Sequence, residues 1–179
     1  MTEAAAVRPA STVLLLRDSA AAAGIEVFMM VRHHQIEFNS GALVFPGGSV
    51  DTSDREIAGQ PELYAGEQGV DAEALSFRIA AIRETFEESG ILLARAKGTD
   101  ALIAAAHARE IEAANRAALC EGKVSFLDVV SSNGLVLAPR WWGGPVRSTL
   151  DLVGADARVC DWNLAEADYA ASARPGCAG

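Results

Sequence analysis

The chain is predicted to fold as a single α/β domain, and three observations carry that reading. Short runs rich in aliphatic and β-branched residues fill its first quarter, two long helical patterns follow, and Gly, Pro and Asp punctuate the joins. With 179 residues, half of them apolar, the chain can bury one full core. Residues 11–16 and 25–31 read as two strands joined by a turn over 18–24, and residues 41–45 as a third. Residues 51–70 are acidic and carry Gly59, Pro61, Gly66 and Gly69, a composition that predicts a surface loop inserted in the domain. Asp71 suits an N-cap and Gly90 a left-handed C′ position, so a helix is expected over about 72–89. A second, alanine-rich helix is expected over 100–119, then a short helix near 125–130 and a strand at 135–137. No internal repeat is visible.

The first helix carries the chemistry. Arg83-Glu84-Thr85-Phe86-Glu87-Glu88 places three glutamates at i, i+3 and i+4, so their carboxylates share one face. Ile79, Ile82 and Phe86, with Ala80 and Ala81, form the opposite, core-facing stripe. Like charges so close together repel, and Arg83 offsets only part of the repulsion. Mg²⁺ or Mn²⁺ suits the remainder, since both take carboxylate oxygens and leave positions open for water and phosphate. A solvated acidic face would have the same spacing. Upstream, Val44-Phe45-Pro46-Gly47-Gly48 reads as a strand ending in a tight glycine turn, where bare backbone can approach a ligand.

Phe45-Pro46-Gly47-Gly48 together with Arg83-Glu84-x-x-Glu87-Glu88-x-Gly90-Ile91 resembles the Nudix box of the Nudix hydrolases, which cleave diphosphate linkages attached to a nucleoside. The resemblance covers about residues 10–137 and implies an α/β/α sandwich with a mixed sheet. In the family, a glycine is followed by five residues, a glutamate, seven residues and then the Arg-Glu pair. Here the gap from Gly48 to Arg83 is far longer; Leu75 stands eight positions before Arg83, so the box glutamate is missing in that register, with Glu73 nearby. Thr85 occupies a position that is usually aliphatic. These departures are similar to the branch with an insertion in the box that includes peroxisomal coenzyme A diphosphatases. Arg32, Gly41 and Phe45 to Gly48 match the spacing of coenzyme A-cleaving relatives, whereas His33 and Glu37 replace a serine and an arginine of that pattern.

The resemblance implies roles residue by residue. Glu87 and Glu88 are expected as metal ligands, Glu84 as a further ligand or proton acceptor, and the Gly48 carbonyl as a backbone ligand. Arg83 would orient the glutamates through ion pairs, and Arg32, Gly47 and Gly48 would meet the substrate. Glu110, Glu112 and Glu121 are the acids from which a general base could come, and the sequence selects none of them. The expected reaction is metal-assisted hydrolysis of a small nucleoside diphosphate derivative, with coenzyme A or an acyl-coenzyme A first among the candidates. The alternative is a Nudix-like module that binds a nucleotide or protein without turnover. A homodimer is among the assemblies the family uses.

Charge and composition narrow the partners. A net charge of −9 and only two lysines, Lys97 and Lys123, oppose a nucleic-acid surface. No apolar run is long enough to span a bilayer, none reads as a leader, and the final Cys177-Ala178-Gly179 is not a peroxisomal address. A cytoplasmic location, with Cys120, Cys160 and Cys177 as reduced thiols, is the resulting expectation. The Nudix-like domain is expected over 1–138 with its insertion at 51–70. Residues 139–179 form an atypical tail, in which Trp141, Trp142 and Trp162 mix with Gly, Ala and Arg without strand or helix periodicity. Either the ending is unusual or the reading frame changes after about residue 138.

Overall fold

Strand β1 (Ala10–Asp18) is the hinge of the architecture, because both of its edges are paired. In the computed structural model, which describes residues 8–18, 25–31, 42–65, 69–139 and 157–162, one edge of β1 meets two short strands. These are β2 (Ile25–Val27), through Leu16 opposite Val27, and, after β3 (Met30–Val31) and β4 (Leu43–Val44), β5 (Gly47–Ser49), through Ser11 opposite Gly48. Alternation along β1 buries Ser11, Val13 and Leu15 on the face toward the core. The predicted strand over 25–31 is split: β2 joins β1, while β3 pairs antiparallel with β4 in a separate ribbon. Every named strand pair among the described residues is antiparallel, with one parallel bridge between Tyr64 and Leu137.

Residues 51–65 of the insertion are not a surface loop. Asp51 starts helix α1 (Thr52–Ala58) by accepting from the Ser53 amide, and Asp54 returns the favour to the Asp51 amide at 2.7 Å, a capping box built from two aspartates. Ile57 and Ala58 enter the core. A 3-10 turn at Pro61–Leu63 then delivers Tyr64 and Ala65 to β7 (Leu135–Leu137), where the Ala65 amide donates to the Leu137 carbonyl. Composition marks this stretch as loop-like, but its apolar residues are spaced to pack on the neighbouring helix.

That helix, α2 (Ala72–Ser89), has the predicted bounds, with Asp71 accepting from the Ala74 amide and Gly90 at φ 74°. It packs over β1 and β5, and Leu75, Ile79, Ile82 and Phe86 fill the core beneath it. Thr85, in its usually aliphatic position, is fully buried and satisfies its hydroxyl on the Ala81 carbonyl at 2.7 Å. After β6 (Ala94–Ala96), helix α3 (Ala105–Cys120) begins later than predicted, because the Ile103 amide is bonded to Ala94 in the sheet and Leu102 bridges Arg95. Helix α4 (Phe126–Ser132) starts at a Ser125–Asp128 capping box, and Phe126 tilts against Phe86 with ring centres 6.3 Å apart. Cys120 is disulfide-bonded, which corrects the expectation of a reduced thiol at that position: sequence spacing says nothing of which sulfurs meet in space. In the tail, residues 157–162 form β8 (Ala157–Trp162), antiparallel to β1 from Thr12 to Arg17, where periodicity predicted no strand. No helix among the described residues is long and apolar enough to cross a membrane.

Candidate active site

The site is assembled where α2 crosses β5. Three successive residues of β5 meet one turn of α2 in reverse order. Ser49 accepts from the Arg83 Nη2 at 2.8 Å, Gly48 lies against the Glu84 carboxylate, and the Gly47 amide donates to Glu88 Oε2 at 3.0 Å. The predicted glycine turn is thus a strand, and its two glycines answer to different constraints. A side chain on Gly48 would occupy the space of the Glu84 carboxylate, whereas one on Gly47 would strike the Ser11 carbonyl and the Thr12 backbone across the ladder.

Arg83 organises the acids. Its guanidinium is buried, with Nη1 2.9 Å from Glu84 Oε1 and 3.1 Å from Glu87 Oε1. Its other edge donates to Asp54: Nε to Oδ1 at 3.0 Å and Nη2 to Oδ2 at 3.1 Å, a two-pronged pair with Asp54 fully buried. Burial works against the Arg83 charge, but Asp54, Glu84 and Glu87 together outweigh it and hold its pKa above the ordinary arginine value. Burial pushes the Glu84 carboxyl above the usual range; Arg83 pulls it back, and Glu87 pushes it further up. Asp54 is likewise raised by burial, against the pull of Arg83.

Asp54 corrects the sequence reading. Counting back from Arg83 finds Leu75, which is buried core, and the nearby Glu73, which is exposed in the first turn of α2. Counting forward from Gly48, five residues precede Asp54. An acid therefore does follow Gly48 at that spacing, as an aspartate, and the extra residues lie between it and Arg83, 29 positions on. The signal was available in the Gly48 count and in the Asp51-x-x-Asp54 capping pattern.

The structure brings together Arg83, Glu84, Glu87, Glu88, Gly47 and Gly48. Arg32, with His33, His34, Glu37 and Gly41, lies outside the described residues. Among the acids considered for a general base, Glu110 and Glu121 are exposed, while the Glu112 carboxylate lies over Gly90 at the end of α2. The donor set is all oxygen, which fits a hard divalent cation. Among the described residues, however, no three acidic, histidine or cysteine side chains are gathered closely enough to hold an ion as they stand. The carboxylates are instead turned toward Arg83 and the Gly47 amide.

Two known proteins resemble this chain. Over 66 residues, or 37% of its length, the chain is 38% identical to a curated protein of Caenorhabditis elegans named "Putative nudix hydrolase 7". It superposes on the crystal structure of a NUDIX hydrolase from Alicyclobacillus acidocaldarius with a TM-score of 0.54 and 28% identity, over 78% of this chain. Both support the Nudix hydrolase family. The chain spans 17% of the length of the first relative and 60% of the second. No family model matches it.

Proposed function

We propose that this chain is a divalent-metal-dependent Nudix hydrolase that cleaves the diphosphate linkage of a nucleoside diphosphate derivative, with coenzyme A or an acyl-coenzyme A as the first substrates to test. One observation carries the reading. Arg83, anchored on Asp54, gathers the Glu84 and Glu87 carboxylates beside Glu88 and the bare backbone of Gly47 and Gly48, an all-oxygen donor set of the kind that suits a hard divalent cation. Glu84, Glu87 and Glu88, with the carbonyl of Gly48, would hold Mg²⁺ or Mn²⁺. The ion supplies the positive charge that draws diphosphate oxygens to an acidic protein and acidifies a water. Arg83 sets the rotamers of Glu84 and Glu87, the Gly47 amide sets that of Glu88, and the missing side chain at Gly48 leaves room for Glu84. Arg32 completes the proposal as a phosphate contact, and a cytoplasmic homodimer without membrane or nucleic-acid partners belongs to it as well.

Engagement of the carboxylates by Arg83 and Gly47 favours a second reading, a module that binds a nucleotide without turnover. Product release from coenzyme A, ADP-ribose and NADH in Mg²⁺ or Mn²⁺ separates the two. Metal-dependent cleavage that falls roughly 100-fold or more in Glu87→Gln is expected. A folded chain that binds these compounds and cleaves none of them would establish the second reading.

A further inference from the structure

The last turn of α2 concentrates negative charge. It carries Glu87 and Glu88, has no basic residue of its own, and ends in carbonyls at the negative end of the helix dipole. The Glu112 carboxylate of α3 lies directly over Gly90, adding to the same field. Such a turn should fray, yet it holds side chains whose spacing the chemistry depends on. Beside the Gly90 cap and the Arg83–Glu87 pair, a further stabiliser comes from α3. Arg116 Nε donates to the Glu87 carbonyl at 2.8 Å, Nη2 to the Glu88 carbonyl at 3.0 Å, and Nη1 pairs with Glu112 at 3.3 Å. A planar guanidinium can bridge two consecutive carbonyls in this way, whereas an ammonium offers a single point charge.

We propose that Arg116 is a positioning residue for the acidic cluster: by bridging the carbonyls of Glu87 and Glu88, it fixes the end of α2 so that their carboxylates keep one geometry before a divalent cation arrives. The inference rests on the metal-dependent reading above. It also makes a prediction whose sign separates geometry from charge. Removing a nearby positive charge should by itself tighten cation binding. Loss of the bridge lets the turn relax and should weaken it.

The test is Mn²⁺ binding to the full chain without substrate, followed by the electron paramagnetic resonance of free Mn²⁺, for wild type, Arg116→Met and Arg116→Lys. Binding about tenfold weaker in Arg116→Met is expected, with Arg116→Lys recovering only part of the loss. Unchanged or tighter binding in a folded Arg116→Met overturns the proposal. Should Arg116→Met fail to fold, Arg116→Lys, which keeps the charge and the aliphatic stem, decides: wild-type affinity in that variant equally overturns it. A wild-type chain that binds no Mn²⁺ would instead remove the metal-dependent reading on which the proposal stands.

Discussion

Asp54 and Arg83 show how much one buried pair can settle. Asp54 closes a capping box at the start of α1 and takes two prongs of a guanidinium that also serves Glu84, Glu87 and the Ser49 carbonyl. Asp54→Ala leaves Arg83 buried without its main counter-charge, and a loss of about 3–5 kcal/mol is expected in urea unfolding. A loss below about 1 kcal/mol, the range of an exposed pair, would show that the pair is peripheral. Glu84 offers a pH test. Its folded pKa is raised by burial, so the folded state binds more protons than the unfolded state between the ordinary value of 4.5 and the folded one. Its contribution to stability therefore falls as pH rises through that window. In chelator, Glu84→Gln is expected to gain stability relative to wild type as pH increases from about 4.5. A difference between the two proteins that stays constant with pH would sink this reading. Asp54 could be found in the sequence by counting from the glycine or from its capping pattern, and not by counting back from Arg83, because 29 positions separate the two. Arg116 gave no signal at all, since its partners are backbone carbonyls on another helix.

At the scale of elements, β5 and α2 act as one unit, and the glycine pair divides its labour between folding and site geometry. Gly47→Ala would press on the backbone of β1, which cannot yield without opening the ladder, so a stability loss of roughly 1–3 kcal/mol is expected. Gly48→Ala would press first on the carboxylate end of Glu84, a side chain rather than backbone. The expected result is a smaller loss of stability with a larger loss of metal-dependent turnover. Paired thermal melts and rate measurements check the contrast, and equal effects of the two substitutions on both readouts would refute it. Helix α2 was legible to the residue because its ends are set locally, by Asp71 and by a left-handed glycine. Helix α1 was not. The acids within it and the glycines and proline that follow it suggest a loop, and only packing on α2 shows that Ile57 belongs to the core.

Across the whole molecule, β1 is the element on which the others converge, with β2 and β5 on one edge and β8 on the other. Deleting residues 140–179 would leave the second edge without its partner. A lower urea midpoint and concentration-dependent self-association in sedimentation are the expected outcomes. An unaltered midpoint in a monomeric product would mean that the tail adds nothing to the fold, as a change of reading frame after residue 138 would predict. The sequence by itself determined the class of fold, the bounds of α2 and β7, the pairing of Arg83 with Glu84 and Glu87, and the closeness of bare backbone at Gly47 and Gly48. These are matters of helical spacing, capping and glycine geometry, which act within a few residues. Only the tertiary structure decided that the insertion packs as a helix, that Asp54 faces Arg83, that Arg116 binds the end of α2 and that β8 joins β1. Each of these depends on which distant surfaces meet once the apolar faces are buried, and local spacing does not encode that meeting.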